Sequence, residues 1–277
     1  MKNILLLTDF SENSMNAMRY ALHLFENSIC NFYILNVENT SAYASADLMS
    51  VGNESIYNSV IKKIRERIKK LIVELENEFK NSNFSFNSLV SYNDLTEAIK
   101  QIHISKNIHL VVMGTNGVTG AKEIMFGSNT INVIRAMICP TLVIPEKYAY
   151  KMPKEILLPL DVADSLSGNA FMGVVAFAKK FSKKVHLLRI LPNNEALTEE
   201  SKEIASMNLI LTKTHNHYYK IINVPMHYVV NCYLQTHAID LIALLVQKES
   251  FVERFFTGST TKQISNKITV PLLVFRD

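Results

Sequence analysis

Apolar and polar positions alternate between two regimes along the first half of the chain. Ile4 to Leu7 is a short unbroken apolar run, the pattern of a strand buried on both faces. Met15, Met18, Ala21, Leu22 and Phe25 then recur at three- and four-residue steps, predicting a helix that Ser11 caps. A second strand is predicted over Cys30 to Val37. After the polar stretch Glu38 to Gly52, a long helix is marked by Ile61, Ile64, Ile68, Leu71, Ile72, Leu75 and Phe79 on one face. Phe84 to Val90 alternates as a third strand, Asp94 opens a short helix over Leu95 to Ile104, and His109 to Met113 is a fourth strand. Gly127-Ser-Asn-Thr130 opens another helix carrying Ile131, Ile134 and Met137, and Thr141 to Ile144 is a fifth strand. Alternating strands and helices of this kind imply an α/β fold: a doubly wound parallel sheet whose ligands bind at the carboxyl ends of the strands.

The same pattern restarts after Pro145 to Pro153, a linker with proline at both ends and no apolar period. Strands are predicted at Ile156 to Leu160, Val185 to Leu191 and Met226 to Asn231, with helices at Ser167 to Phe181 and about 195–213. Ile156-Leu-Leu-Pro-Leu-Asp161 repeats the first strand and its terminal aspartate, Asp9. Gly258-Ser-Thr-Thr261 repeats Gly127-Ser-Asn-Thr130, and Gly127 to Pro140 and Gly258 to Pro271 each span thirteen residues. These matched ends make a tandem repeat, with a first domain over 1–147 and a second over 154–277. The second is shorter: Asp161 to Gly258 is 97 residues against 118 from Asp9 to Gly127. Part of that deficit is expected between its third and fourth strands, where Cys232 to Ile239 are too few residues for a full helix. Pro159 is awkward for a central strand.

Four of the eight glycines, Gly114, Gly117, Gly120 and Gly127, lie within fourteen residues after the fourth strand. Backbone there needs unusual dihedrals or close approach, and the amides of Gly127, Ser128, Asn129 and Thr130 stand at a helix N-terminus, where anions are favoured. There is no Gly-Lys-Ser/Thr, which excludes a P-loop, and no Gly-x-Gly-x-x-Gly after the first strand, which excludes the dinucleotide fingerprint.

What G-x2-G-x9-G-S after a fourth strand does resemble is the ATP-binding branch of the universal stress protein family. The N-terminal Ile4-Leu-Leu-Leu-Thr-Asp9-Phe-Ser11 and the strand end Asn36-Val37 resemble that family as well. The resemblance covers nearly the whole chain, the second half by skeleton only, and the family often tolerates proline two residues before the aspartate. It implies tandem Rossmann-like domains of the adenine nucleotide alpha hydrolase-like type, and an adenine nucleotide, ATP alone or with magnesium, bound by the first domain. Asp9 would accept from the adenine amino group, and backbone at Val37 would meet the ring edge. Gly114 would let the ribose approach, Gly117 would turn the loop, and Gly127, Ser128, Asn129 and Thr130 would hold the phosphates. Aligned back from Gly258, the second domain has Leu245 and Lys248 where the first has Gly114 and Gly117, so it is expected to be a degenerate copy. Universal stress domains commonly pair through their last strands, which implies an intramolecular pseudo-dimer and leaves room for a homodimer.

Composition narrows the remaining classes. With 48% hydrophobic and 19% charged residues and no apolar run near the length of a membrane helix or signal peptide, a cytoplasmic protein without a membrane partner is expected. Net charge is +4; residues 1–150 carry 14 basic and 14 acidic side chains, too even for a nucleic-acid partner, and the basic run Lys62 to Lys70 reads as a solvated helix face. Cys30, Cys139 and Cys232 have no CxxC spacing and read as buried thiols in or beside strands. The histidines form no ligand pattern; His215-Asn-His217 reads as a polar helix end, not a metal pair. No hydrolytic machinery is visible, and Glu123 reads as a loop residue, so a binding or signalling protein is expected, with a slow ATPase or an empty scaffold as alternatives.

Overall fold

The computed structural model describes residues 1–38, 54–115, 127–162, 164–191, 204–205, 214–246 and 268–276. In the first half these form β1 (Lys2–Leu7), α1 (Glu12–Leu24), β2 (Cys30–Val37), α2 (Glu54–Phe79), β3 (Phe84–Ser91), α3 (Leu95–Lys106), β4 (Leu110–Gly114), α4 (Ser128–Ala136) and β5 (Thr141–Ile144). The second half contributes β6 (Glu155–Asp161), α5 (Gly168–Phe181), β7 (Lys184–Leu191), β8 (His215–Ile222), α6 (Met226–Thr236), β9 (Leu241–Val246) and β10 (Leu272–Arg276).

All ten strands form one sheet in the order β3-β2-β1-β4-β5-β10-β9-β6-β7-β8. Pairing is parallel throughout except at the centre, where β5 and β10 run antiparallel through Leu272↔Val143, Leu273↔Leu142 and Val274↔Thr141. The order of the second half is therefore the mirror of the first: β6, β7, β8, β9 and β10 stand where β1, β2, β3, β4 and β5 stand. The chain is an α/β fold with Rossmann-like topology.

Successive residues of a buried strand feed opposite faces. Ile4 and Leu6 pack with Met18, Leu22, Ile68 and Leu75 of α1 and α2, and the same layer continues across the junction to Phe171 and Val174 of α5. Leu5 and Leu7 feed the other face, with Ile99 of α3, Val133 of α4 and Val229 of α6. At Gly173 on α5, an added Cβ would lie 2.6 Å from Cδ1 of Phe275, so glycine is what lets α5 reach β10. Pro159 sits inside β6, but the ladder to β9 ends at Leu157↔Ile242 while that to β7 runs on to Asp161↔Ile190. The missing N–H is therefore tolerated beyond the end of one ladder.

The linker opens on a turn, with the Tyr148 amide donating to the Pro145 carbonyl at 3.2 Å and Lys147 at φ 60°, and it is anchored beyond that turn. The Asp240 carboxylate accepts from the amides of Lys154 and Glu155, both at 3.0 Å, and pairs with Lys151 Nζ at 2.5 Å. Tyr150 stacks on His23, with ring centres 4.9 Å apart, and meets Tyr20 edge-on.

Several expectations for the second half are corrected. Residues 226–231 are not a strand: Met226–Thr236 is the helix α6, begun at Pro225, with Met226, Val229, Val230 and Tyr233 buried at helical spacing. The third strand is instead His215–Ile222, so His215 and His217 stand on β8 and not at a helix end. A helix thus does separate the third and fourth strands, and the deficit in length does not come from losing it. Cys232, on α6, is exposed, whereas Cys30 and Cys139 are buried, and burial pushes the Cys139 thiol up to about 12. The helix expected over 195–213 and the repeat Gly258-Ser-Thr-Thr261 lie outside the described residues, apart from a helical pair at 204–205.

One titratable group lies deep in the second half. His186 on β7 is 1% exposed, its Nδ1 is 2.6 Å from the Tyr233 hydroxyl and its Nε2 is 2.9 Å from Glu155 Oε2. Burial is the main cause holding its pKa below the ordinary 6.5, Lys184 and His217 push the same way, and the Glu155 carboxylate opposes them. A histidine whose folded pKa is depressed favours folding above its unfolded value and loses that contribution as pH falls through the folded value. The urea midpoint should therefore decline as pH drops from about 6.5 toward 5, and His186→Gln should flatten that slope although His227, also shifted down, remains. An unchanged slope in the variant would assign the acid sensitivity elsewhere.

Candidate functional site

Three strand ends converge at one edge of the first half. Past β1, the chain turns sharply: Phe10 takes φ 63°, Thr8 Oγ1 accepts from the Phe10 amide at 2.9 Å, and Asp9 Oδ1 accepts from the Ser11 amide at 3.0 Å and its hydroxyl at 2.6 Å. Ser11 then caps α1 by accepting from the Ser14 amide. Asp9 is thereby held in a short side-chain turn, exposed, with its second carboxylate oxygen still available. Next to it Asn36 is buried at the end of β2 and its amide donates to the Thr8 carbonyl at 2.9 Å.

The end of β4 is tied to the start of α4. The Gly127 amide donates to the Thr115 carbonyl at 3.0 Å, and the buried Thr130 hydroxyl donates to the same carbonyl at 2.9 Å. Gly127 stands at the N-cap in extended conformation with no side-chain cap, so the first amides of α4 have no intrahelical acceptor. Gly114 has a packing reason internal to the chain: a Cβ there would meet the Asn13 side chain at 2.6 to 3.0 Å. The expectation of a close approach at Gly114 thus has a partner in α1 itself.

These ends line a cavity of about 670 Å³. Asp9, Val37, Gly114, Gly127, Ser128, Asn129 and Thr130 all border it. Gly117, Gly120 and Glu123 lie outside the described residues. Sequence reasoning missed Tyr92, Asn93 and Asp94, which follow β3 and complete the wall, and Thr115, which is fully buried and whose Oγ1 has no hydrogen-bond partner among the described residues. The signal was available, since residues past the carboxyl end of any strand belong to such a crevice. Asp94 also caps α3; hydrogen bonds from Thr96, hydroxyl first, hold its carboxyl below the usual range. The lining is mixed: Leu7, Leu35, Val37 and Met113 are apolar, and hydroxyls, amides and the carboxylates of Asp9 and Asp94 surround them. Such a wall suits a flat ring with a polar edge together with an anionic tail over α4.

The corresponding edge of the second half is built differently. Strand register places Leu245 where Gly114 stands, because Leu245↔Phe275 matches Gly114↔Ile144. Leu245 is fully buried. Asp161 is buried too, its Oδ1 accepting from the Val162 amide at 2.6 Å, while Arg189 below it donates to the carbonyls of Asp161 and Asp164. Lys248 lies outside the described residues.

Known proteins place this architecture. The family model described as "Universal stress protein family" matches residues 1–145, and the chain belongs to that family. Among curated relatives, universal stress protein MJ0577 of Methanocaldococcus jannaschii is 26% identical over 155 residues, 53% of this chain and 96% of its own length. Universal stress protein YxiE of Bacillus subtilis is 23% identical over 145 residues, 51% of this chain and 97% of its own. Among solved structures, a universal stress protein from Archaeoglobus fulgidus superposes with TM-score 0.70 at 17% identity, covering 99% of this chain and 98% of that one. That likeness shows the fold across both halves. No helix among the described residues is long and apolar enough to cross a membrane, and no group of three or more His, Cys, Asp or Glu among them could hold a metal ion.

The close contact at Gly114 yields a prediction. Gly114→Ala should cost about 1–3 kcal/mol in a urea or thermal melt, because the new methyl drives the Asn13 side chain off. Combined with Asn13→Ala, the loss should be much smaller than the sum of the two single losses. Additive losses would show that Asn13 is not what requires glycine there.

Proposed function

We propose that this chain is a nucleotide-responsive stress or signalling protein that binds ATP, alone or with magnesium, in the cleft of its first domain, residues 1–147. The observation that carries the reading is the pairing of uncapped α4 amides with a buried Thr115 hydroxyl, partnerless among the described residues, around one cavity of about 670 Å³. Amides at a helix start attract phosphate oxygens, and a buried hydroxyl without a partner is costly unless something else bonds it. In this reading the free oxygen of Asp9 accepts from the adenine amino group, and backbone at Val37 meets the ring edge. Gly127, Ser128, Asn129 and Thr130 hold the phosphates, with Gly117 turning the loop between. Magnesium, when bound, would screen the phosphate charge.

The second domain, residues 154–277, is read as a degenerate copy. A leucine side chain in the register position of Gly114 and a buried Asp161 support that view. Its contribution is then to cover the β5 edge, making the molecule an internal pseudo-dimer of the two domains. The reading is of binding and not of turnover. Phosphoryl transfer needs a metal held by carboxylates and a positioned base, and of the two carboxylates in the described lining, Asp94 is engaged by Thr96 as the cap of α3 and the oxygen of Asp9 that Ser11 leaves free is the one this reading gives to the adenine. We place the protein in the cytoplasm, as the family and the composition suggest.

Calorimetric titration of nucleotide-free protein with ATP should give about one site per chain. Two equal sites would overturn the degenerate copy, and no binding would leave the scaffold alternative; a catalytic burst in single-turnover assays would instead favour the slow ATPase. Asp9→Ala should reduce the preference for ATP over GTP by roughly ten-fold, the size of one charge-assisted hydrogen bond. Unaltered selectivity would remove Asp9 from the base pocket.

A further inference from the structure

The outward face of α2 carries a pattern that neither the core nor the cleft uses. Ile64, Ile68, Leu71 and Leu75 are buried against the sheet, which turns Val73 to the opposite side. Val73 is 54% exposed, an apolar residue in the middle of a charged face. On its own side of the helix, at steps of three, four and seven, lie Glu66, Lys69 and Lys70 before it and Glu76, Asn77 and Lys80 after it, all exposed. Lys80 stands just past the helix end with φ 46°. The ion pair between α2 and α1, Arg19 with Glu78 at 2.9 Å, lies to the flank and leaves this face open.

The sequence of charges on this face is complementary to itself when reversed. A two-fold axis at Val73 that laid a second α2 antiparallel on the first would bring Val73 against its own copy. Lys70 would face Glu76 of the copy, Glu66 would face Lys80, and Lys69 would face the side-chain amide of Asn77. Each pair occurs twice, as an isologous contact requires. A parallel arrangement in register would instead set Lys70 against Lys70 and Glu76 against Glu76. We propose that this face of α2 is a self-association surface, and that its partner is a second copy of this chain bound antiparallel across Val73.

A polyanion such as nucleic acid fits the face less well. It would gain Lys69 and Lys70 but would have to pass Glu66 and Glu76. Exposed ion pairs are individually weak, so the dimer should be modest in affinity and sensitive to salt. It should not be a permanent assembly.

Sedimentation of the full chain from about 1 to 200 μM, the range in which a modest interface assembles, provides the test. A monomer–dimer equilibrium is expected at low ionic strength, weakening when salt is raised to about 0.5 M. Lys70→Glu should weaken it at least about ten-fold, because it sets two like-charge contacts across the axis. The swap Lys70→Glu with Glu76→Lys should restore it to within about three-fold, since the pairs are re-formed with reversed sign. Val73→Lys should weaken it as well. These positions are exposed, and a circular dichroism melt of each variant checks that the fold is kept. A chain that stays monomeric at about 200 μM, a dimer indifferent to Lys70→Glu or Val73→Lys, or a swap that fails to rescue would each overturn the proposal. So would a monomer whose α2 face bound RNA or anionic vesicles instead.

Discussion

The short antiparallel ladder between β5 and β10 is the contact on which the rest of the molecule depends. Three residue pairs, Leu272↔Val143, Leu273↔Leu142 and Val274↔Thr141, turn two parallel five-stranded sheets into one of ten. Left apart, each half would present a buried-type strand, apolar on both faces, at an open edge, which invites unwanted pairing. Joined, Leu142, Val143, Leu273 and Val274 are all buried, and each layer of the core passes across the junction without a break. The glycine at 173 belongs to the same constraint, because without it α5 could not lie against Phe275. So does Asp240, which gathers the linker amides at the start of β6 and thereby sets where the second half begins.

How much of this was legible in the sequence depended on burial. The strands β1, β2, β4, β5, β6 and β7 were found to within about two residues at each end because a parallel strand covered on both faces must be an apolar run. Ser11 and Asp94 marked helix starts through the chemistry of an N-cap. The reading failed at the far edge. The strand His215–Ile222 has one neighbour, β7, so its outer positions stay polar and its pattern is weak. Meanwhile Met226-His-Tyr-Val-Val looks like a strand by composition, and only the recurrence of Met226, Val229, Val230 and Tyr233 behind Pro225 betrays a helix. Propensity lost to tertiary context there.

The cleft divides along the same line. Asp9, Gly114 and the Gly127 turn were visible because motif residues are identified by type and spacing. Tyr92, Asn93 and Thr115 were missed although each follows the carboxyl end of a strand, because which strand ends share one cavity is set by strand order and not by residue type or spacing. The role of Gly114 shows a further limit: spacing can mark a close approach without naming what approaches, and here the nearest atoms belong to Asn13, a hundred residues earlier in the chain.

The reversal at β5 and β10 also arranges the molecule's permanent dipoles. Each helix that follows a strand in a parallel unit starts at the carboxyl edge of that strand and points its amide end there. In the first half α1, α3 and α4 begin along one edge of the sheet, and in the second half α5 and α6 begin along the other, because β5 and β10 run in opposite directions. A single half would be a strong electric dipole, positive along its ligand edge and negative behind. The joined molecule is instead close to a quadrupole, with both long edges positive and little net moment between them. The helix dipoles by themselves therefore give it no preferred orientation in an external field, while each edge keeps its local attraction for anions.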